Sequence, residues 1–335
     1  MKLIDAWIIS CNFTAVPLCR LYINIFDKIY KTAHHNTGSK MSKLTKVCIC
    51  SDPEHYSKAY HAFENLSAKY EEFTNWSQRF FPSAVVDKLH PGLSTLRMLG
   101  IGSGAGEAES EMLLQLLKKF HRIENTVVEP SEERILEYKT SVSNDDKLLK
   151  FVDFKWENQT IGEYQRMTRT REQEPERFHF ISALHCLYHV KDPSDTIKFM
   201  YDSLESGGIM MVILSTGDSG FGELWSRFPV LAMGNNYFHL HSGHVKSTLD
   251  WMNVPYYSFH GSAFLDITSC YHDQSTQSDL ALDFITSIVN FREWATPTLE
   301  EEVLDFLKTS TCSKISSDGK IMFHDKWEAV LAIKT

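Results

Sequence analysis

The nine residues LGIGSGAGE, at positions 99 to 107, constrain the fold of this chain more than any other segment. The apolar run before them predicts a buried strand, and the amphipathic run after Gly106 predicts a helix. Glycines at Gly102, Gly104 and Gly106 let the backbone turn sharply and approach a ligand without a clash at Cβ. The segment therefore predicts a strand, loop and helix that bind a nucleotide-like cofactor.

A carboxylate stands at the end of the next predicted strand. The run NTVVE ends in Glu129, and the helix that follows begins with Pro and Ser. A carboxylate at this position can accept hydrogen bonds from both hydroxyl groups of a ribose. The glycine loop and Glu129 together strengthen the prediction of a nucleotide site.

Strand and helix patterns alternate from about residue 95 to residue 215. This alternation predicts an α/β fold with a parallel sheet and helices on both faces. The C-terminal run DGKIMFHDKWEAVLAIKT differs, and it predicts two strands joined by a short turn around His324–Lys326.

Two classes of cofactor suit the glycine loop. Dinucleotides are bound by G-x-G-x-x-G, which Gly100, Gly102 and Ala105 match only with a strained alignment. The looser G-x-G-x-G of S-adenosylmethionine enzymes fits Gly102 to Gly106 directly. Glu107 would repel a pyrophosphate at the start of the helix. The loop therefore favours S-adenosylmethionine, with a nicotinamide-dependent dehydrogenase as an alternative.

Composition excludes several partners. The chain has 335 residues and a formal net charge of −9, which argues against nucleic acid as a partner. Its seven cysteines are scattered without a C-x-x-C pair, so no zinc or other metal site is predicted and a reducing compartment is favoured. Polar residues such as Asp5 and Arg20 interrupt the apolar run in residues 1–40, so we expect an extension of unknown role and no membrane span.

Five segments along the chain carry a more specific signal. LGIGSGAGE, VVEPS, LYHVKD, GELWSRF and FITSIVNF occur in an order that resembles the histamine N-methyltransferase family. The resemblance covers nearly all of the chain after residue 50. It implies a Rossmann-like class I methyltransferase, with a mainly parallel seven-stranded sheet and an antiparallel C-terminal strand. It also implies a monomeric, cytoplasmic enzyme that uses S-adenosylmethionine to methylate a small imidazole amine.

The resemblance divides residues 51–335 into regions with expected roles. Residues 51–81 correspond to N-terminal substrate helices, and residues 95–215 to the cofactor-binding core. Residues 216–300 correspond to substrate-binding insertions, and residues 320–335 to the C-terminal strands.

The resemblance places the cofactor around the glycine loop. Gly102 matches the glycine below the methionine part, and Glu129 matches the ribose-binding carboxylate. Ile161 stands where the family has a serine, so Thr160 could supply the missing polar contact. The expected cofactor-binding residues are Gly102, Ser103, Gly104, Gly106, Glu129, Arg134, Thr160, Ile161 and Leu184.

The substrate side keeps the aromatic residues of the family but departs from it at polar positions. Lys69 replaces the amine-binding glutamate, and His185 replaces a glutamine beside the imidazole. The expected catalytic residues are His185, His189 and Asp325. The expected substrate-binding residues are Tyr56, Tyr60, Phe63, Lys69, His185, Trp225, Phe228, Tyr271 and Asp325.

These departures leave the substrate open. Lys69 and His185 could hold the carboxylate of carnosine, a histidine dipeptide, while Asp325 or Glu71 holds its amine. A homologue that binds the cofactor without catalysis is a further alternative. In either enzyme the imidazole is already mostly unprotonated at neutral pH, so the site must orient the ring rather than activate it with a strong base.

Overall fold

A mixed eight-stranded sheet organises the chain in the computed structural model, which describes residues 45–170, 175–232, 240–272 and 275–335. Residues 1–40, the expected extension, lie outside the described residues. The strand order is β3-β2-β1-β4-β5-β8-β6, and β7 pairs with β8. The strands are β1 Leu96–Ile101, β2 Ile123–Val128, β3 Val152–Glu157, β4 Phe178–Leu184, β5 Leu204–Ser215, β6 Tyr256–Asp266, β7 Ser313–Ile315 and β8 Ile321–Ile333.

The first five strands run parallel to one another, as the alternating pattern predicts. Their helices cover both faces of the sheet, so β1 and β4 are buried almost throughout. Capping side chains fix where helices begin: Ser131 caps the helix Glu132–Ser143, and Asp192 caps the helix Pro193–Asp202. The helices of this half are α3 Glu107–Leu116, α4 Glu132–Ser143, α5 Asp146–Phe151, α6 Ile161–Thr170 and α7 Pro193–Asp202.

The C-terminal segment forms one long strand, so the turn expected around His324–Lys326 is wrong. Strand β8 pairs antiparallel with β5 on one edge and with β6 on the other. Because β6 pairs continuously with Met322 to Ala332, the backbone stays extended through Asp325. The turn lies earlier, at residues 316–320, where Gly319 has a φ of 83°.

Two N-terminal helices, α1 Pro53–Leu66 and α2 Lys69–Phe81, precede a single π-helical turn, Pro82–Val86. Asp52 caps α1 and Pro53 occupies its first position, which together define its start. Helix α1 packs on α12, Thr276–Thr286. The remaining helices are α8 Gly220–Arg227, α9 Pro229–Ala232, α10 Ser242–Trp251, α11 Ser269–His272, α12 Thr276–Thr286, α13 Phe291–Trp294 and α14 Pro297–Leu307.

Three clusters of buried apolar side chains stabilise the unit Thr45–Thr335. Two lie mainly along the faces of the sheet, and the third joins α1 to α8, α9 and α11 to α14 at the ends of β6 and β8. The expected fold class is confirmed, because the sheet is mainly parallel with an antiparallel C-terminal strand, but it has eight strands rather than the expected seven, since the short β7 adds to β8. In the described part of the chain, no helix combines the length and apolar character needed to cross a membrane.

Candidate active site

A cavity of about 1260 Å³ opens at the edge of the sheet where the parallel strands end. The glycine loop after β1, Glu129 after β2 and His185 after β4 all line it. Helices α1, α8 and α12 contribute its opposite wall. Pockets for one small ligand hold roughly 300–1,000 Å³, so this cavity can accommodate a cofactor and a substrate together.

Three glycines of the loop, Gly102, Gly104 and Gly106, have a left-handed backbone conformation, but their surroundings differ. The φ angles of Gly102, Gly104 and Gly106 are 61°, 58° and 84°. A Cβ on Gly104 would meet no atom within 4 Å, so this residue faces open space in the cavity. A Cβ on Gly106 would lie 2.1 Å from the ring of Tyr138. Gly106, expected in the cofactor site, is therefore not part of the cavity wall and instead allows close packing of the loop.

Glu129 is held by backbone amides and is only 7% exposed. Its Oε2 accepts a hydrogen bond from the Gly104 N–H at 3.0 Å, and its Oε1 accepts one from the Ser131 N–H at 2.9 Å. Burial raises the pKa of this carboxyl, and the two amides oppose that shift. Each oxygen keeps a lone pair for a hydroxyl group in the cavity.

A second carboxylate, Glu109 on α3, lies beneath the loop and was not among the sequence predictions. It is 4% exposed and accepts hydrogen bonds from Ser103 Oγ and Asn125 Nδ2, both at 2.6 Å. A Cβ on Gly100 would lie 1.9 Å from Glu109 Oε2, so Gly100 has to lack a side chain. The available sequence signal was an acidic residue in register with the inward-facing positions Met112, Leu113 and Leu116.

Arg134 links the cofactor side of the cavity to α1. Its guanidinium lies 5.1 Å from the centroid of the Tyr60 ring and 3.6 Å from Glu64 Oε2. Ile161 and Leu184 also line the cavity. Thr160 lines it too, but its hydroxyl donates to Glu163 Oε2 at 2.7 Å at the start of α6. The hydroxyl hydrogen of Thr160 is therefore already engaged.

Aromatic rings form the wall opposite the sheet. Tyr56, Tyr60 and Phe63 stack in sequence, with centroids 6.0 and 6.2 Å apart. Phe284 on α12 contacts all three and lies 4.4 Å from Phe63. Trp225 also lines the cavity, as expected. Phe284 belongs to the FITSIVNF segment, but its helical position alone did not distinguish it from a core residue.

Two of the expected substrate-binding residues lie outside the cavity wall. Phe228 is buried and packs edge-to-face on Phe306, with centroids 5.7 Å apart. The Tyr271 hydroxyl donates to the Leu304 carbonyl at 2.9 Å. Both side chains pack against α14, so the structure does not bring them to the substrate.

A chain of polar groups lies where β4, β5 and β8 meet. The Tyr188 hydroxyl accepts from the Ser215 N–H at 2.7 Å, and Ser215 Oγ donates to Asp325 Oδ1 at 3.2 Å. His185 Nδ1 lies 3.3 Å from the Tyr188 hydroxyl. Asp325 is only 1% exposed, so this chain fixes a buried carboxylate at the cavity wall. Tyr188 and Ser215 were not predicted.

Three titratable groups, Lys69, His185 and Asp325, influence one another electrostatically at this polar chain. Burial lowers the pKa of Lys69, and the charge of Asp325 partly opposes it. Burial, and to a lesser extent the positive charge of Lys69, holds the pKa of His185 well below its usual value. His185 is therefore neutral at neutral pH. Burial raises the pKa of Asp325, against the charge of Lys69. Among the described residues, no carboxylate forms an ion pair with Lys69.

His189 lies at the exposed rim of the cavity. Its Nε2 is 3.2 Å from the Tyr56 hydroxyl, and its ring meets that of Tyr56 edge-on at 5.3 Å. Its Nδ1 is 3.7 Å from Cys50 Sγ. His189 therefore supports the aromatic wall from outside, whereas His185 lies at the polar chain.

Comparison of the chain with known proteins identifies its family. A family model described as "Methyltransferase domain" matches residues 65–252. Histamine N-methyltransferase of Danio rerio is 33% identical over 287 residues, covering 84% of this chain and 97% of that protein. Those of Xenopus tropicalis and Mus musculus are 29% and 28% identical, covering 84% and 83% of this chain and 96% and 94% of theirs.

A solved plantazolicin methyltransferase in complex with SAH is 12% identical, with a TM-score of 0.42, and the match covers 86% of this chain and 93% of that one. The methyltransferase match selects S-adenosylmethionine over the dinucleotide alternative for the glycine loop and Glu129. The chain is thus an S-adenosylmethionine-dependent methyltransferase, and it belongs to the histamine N-methyltransferase family.

Proposed function

We propose that this enzyme transfers the methyl group of S-adenosylmethionine to an imidazole ring nitrogen of a small, histamine-like amine. One observation carries the proposal: a single cavity joins the glycine loop and Glu129 to an aromatic wall and a buried polar chain. The curated relatives, whose names specify N-methylation of histamine, support the same chemistry.

The residues of the cofactor side fit S-adenosylmethionine. Open space at Gly104 admits the methionine part beside Gly102 and Ser103, and Glu129 offers free lone pairs to the ribose hydroxyls. We assign Arg134, Ile161 and Leu184 to the adenosine end, with Thr160 at its edge. The cofactor supplies a methyl group on a positively charged sulfur, and the residues around it hold that group toward the aromatic wall.

The substrate ring needs orientation more than activation. An imidazole with a pKa near 6.5 carries a free lone pair at neutral pH, so the chain has to bring it within about 3–3.5 Å of the methyl group. Neutral His185 can accept the N–H of the distal ring nitrogen and so select the reacting tautomer. As the ring becomes cationic, Tyr56, Tyr60 and Phe63 stabilise it by roughly 0.5–2 kcal/mol per contact.

The part of the substrate that lies away from the reacting imidazole would contact Asp325 and Lys69. Asp325 is the buried carboxylate that would bind an ammonium group, and Lys69 is a half-buried amine at the cavity that forms no ion pair among the described residues. Lys69 is the observation that favours carnosine as a second candidate, because the dipeptide adds a carboxylate to the imidazole. His189 would then act only by supporting Tyr56 at the rim.

Methyl transfer from labelled S-adenosylmethionine to histamine and carnosine, measured side by side, tests both candidates. Methylation of an imidazole nitrogen in either compound, located by mass spectrometry, supports the proposed activity. A clear preference for histamine removes the dipeptide, and transfer to neither compound contradicts the proposal.

A variant of His185 tests the assigned mechanism. Asparagine tolerates the left-handed backbone of this residue, whose φ is 48°, so His185→Asn keeps the loop intact. We expect turnover to fall about 10²-fold or more, because the ring loses its orienting partner. Calorimetry should show little change in S-adenosylhomocysteine affinity, and equal losses in both quantities would contradict the role.

We also propose, from the family resemblance, that the enzyme is a cytoplasmic monomer. Sedimentation velocity of the full chain and imaging of a tagged chain in cells test the two statements separately. A concentration-independent dimer would contradict the first, and a membrane-associated pool would contradict the second.

A further inference from the structure

A polar contact joins the two helices that carry the aromatic wall. His55 directly precedes Tyr56 on α1, and Asp283 directly precedes Phe284 on α12. The Nε2 atom of His55 lies 2.7 Å from Asp283 Oδ2, and the two side chains are only 17% and 4% exposed. The contact therefore connects α1 to α12 beside the rings of Tyr56 and Phe284, whose centroids are 6.0 Å apart.

Backbone groups hold both members of this pair in place. Asp283 Oδ1 accepts from the Phe291 N–H and Oδ2 accepts from the Asn290 N–H, both at 2.8 Å. Burial raises the pKa of this carboxyl, and the hydrogen bonds that it accepts oppose the shift. The His55 N–H donates to Asp52 Oδ1 at 3.0 Å in the first turn of α1. The contact between the two side chains thus links two fixed points of the backbone.

Contacts between aromatic rings also join α1 to α12. The ring of Phe284 lies 4.4–6.0 Å, centroid to centroid, from three rings of α1. Aromatic pairs tolerate a range of separations and tilts, whereas a hydrogen bond to a carboxylate is short and directional. The contact of His55 with Asp283 therefore restricts the sliding of α1 on α12 more than the ring contacts do.

We propose that His55 and Asp283 are positioning residues for methyl transfer, an inference that rests on the proposed function. Neither side chain lines the cavity, so both act through the neighbouring rings of Tyr56 and Phe284. Their hydrogen bond sets the spacing of these rings and thereby the place of the imidazole before the methyl group. A misplacement of about 1 Å can cost about 100-fold in rate, so a small displacement of α1 slows the transfer.

Two amides substituted for His55 test this role. Glutamine places its Nε2 as many bonds from Cβ as the imidazole Nε2, so His55→Gln should keep the hydrogen bond to Asp283. The asparagine amide is one bond closer to Cβ, so His55→Asn should lose it. We expect kcat/KM for the imidazole substrate to fall about tenfold in His55→Asn and to stay within about twofold of wild type in His55→Gln. KM for S-adenosylmethionine and affinity for S-adenosylhomocysteine should stay unchanged in both.

Lys246→Leu is the matched control for a loss of stability alone. Lys246 Nζ lies 2.9 Å from Oε2 of Glu328, a carboxylate that is 2% exposed, and neither residue lines the cavity. Breaking this contact should lower the free energy of unfolding, as His55→Asn does, because each change takes a donor from a buried carboxylate. It should leave kcat/KM unchanged. Urea unfolding and steady-state kinetics measure the two quantities.

The spacing of the rings can also be measured without turnover. Nuclear Overhauser effects between Tyr56 and Phe284, in enzyme with selectively labelled Tyr and Phe, should persist in His55→Gln and weaken in His55→Asn. Equal kcat/KM in the two amide variants, an equal loss in Lys246→Leu, or unchanged ring contacts in His55→Asn would overturn the proposal. If the wild-type enzyme methylates no imidazole, the proposed function fails, and the ring contacts still decide whether His55 and Asp283 set the spacing.

Discussion

The cofactor side and the substrate side of the cavity are built in contrasting ways. The cofactor side comes mainly from one continuous stretch, residues 99–134, and backbone amides hold its key carboxylate. The substrate side brings together Tyr56 on α1, Phe284 on α12 and Asp325 on β8. A site made from one stretch is fixed by backbone conformation, whereas a site made from distant elements depends on how those elements pack.

This contrast predicts different effects for substitutions on the two sides. Changes at the cofactor side should lower stability or cofactor affinity. Changes at the substrate side should alter the choice of substrate or the response to pH. Four predictions, given from the largest expected effect to the smallest, test that division.

The largest effect is expected at the loop. Gly106→Ala should lower the free energy of unfolding by about 2–4 kcal/mol, because the new methyl group meets Tyr138 and the backbone is left-handed. Gly104→Ala has the same backbone strain but open space, so about 1–2 kcal/mol is expected. Urea unfolding measures both, and equal losses would show that packing against Tyr138 is unimportant.

Removing the charge at the end of β2 should act on cofactor binding alone. Glu129→Gln should weaken S-adenosylhomocysteine binding by about 10- to 100-fold, since hydrogen bonds to a charged group contribute about 1.5–3 kcal/mol. Glu124→Gln, on the exposed side of the same strand, is the matched control and should bind normally. Titration calorimetry distinguishes them, and unchanged affinity in Glu129→Gln would contradict the ribose assignment.

Lys69 should influence which substrate is used. Lys69→Met should lower the ratio of carnosine to histamine turnover about tenfold, because the dipeptide carboxylate loses a charged partner. Lys147→Met, on the exposed face of α5, should leave the ratio unchanged. Competition between the two substrates in one reaction measures the ratio directly. A constant ratio would show that Lys69 does not meet the substrate carboxylate.

The smallest expected effect is that of His185→Asn on how the free energy of unfolding depends on pH. The folded pKa of His185 is well below its unfolded value of about 6.5, so only the unfolded chain binds a proton there as pH falls below 6.5. Its contribution to stability is present above pH 6.5 and is lost on acidification, by up to about 1.4 kcal/mol per pH unit.

His185→Asn lacks this loss, so the stability difference between wild type and variant should shift in favour of the variant between pH 7.5 and 5.5. The other groups of the polar chain, Lys69 and Asp325, remain in both proteins, so their own titrations largely cancel in the difference. Chemical unfolding of both proteins at pH 7.5 and pH 5.5 measures this stability difference. A stability difference that stays constant between the two pH values would contradict a neutral His185 in the folded chain.

Local sequence signals were enough to predict that the glycine loop and Glu129 lie together, and both line the cavity. Glycines with left-handed backbones, a carboxylate at a strand end and a helix start all occur within a short stretch, and each has a recognisable pattern. Glu109 was missed because an acidic residue on an amphipathic helix is normally solvent-exposed. Its burial depends on three partners that meet only in the folded chain, Ser103 in the loop, Asn125 on β2 and Tyr138 on α4.

The substrate side was predicted less well because its members meet only in the folded chain. Phe228 and Tyr271 are aromatic like the residues of the wall, but their side chains pack against α14. Asp325 was assigned to a turn because Asp favours turns, whereas pairing with β6 keeps it in a strand. Asp325 nevertheless lines the cavity, and its role stays a prediction.

Arg134 joins the two sides of the cavity, and this affects how a cofactor could exchange. Its helix begins just after Glu129, while its guanidinium contacts Tyr60 and Glu64 on α1. Opening the cavity between α1 and α4 breaks these contacts and displaces Tyr60 from the aromatic wall. If the cofactor and the substrate leave through such an opening, their release would be coupled, and spent cofactor would leave when the methylated product is also free to go.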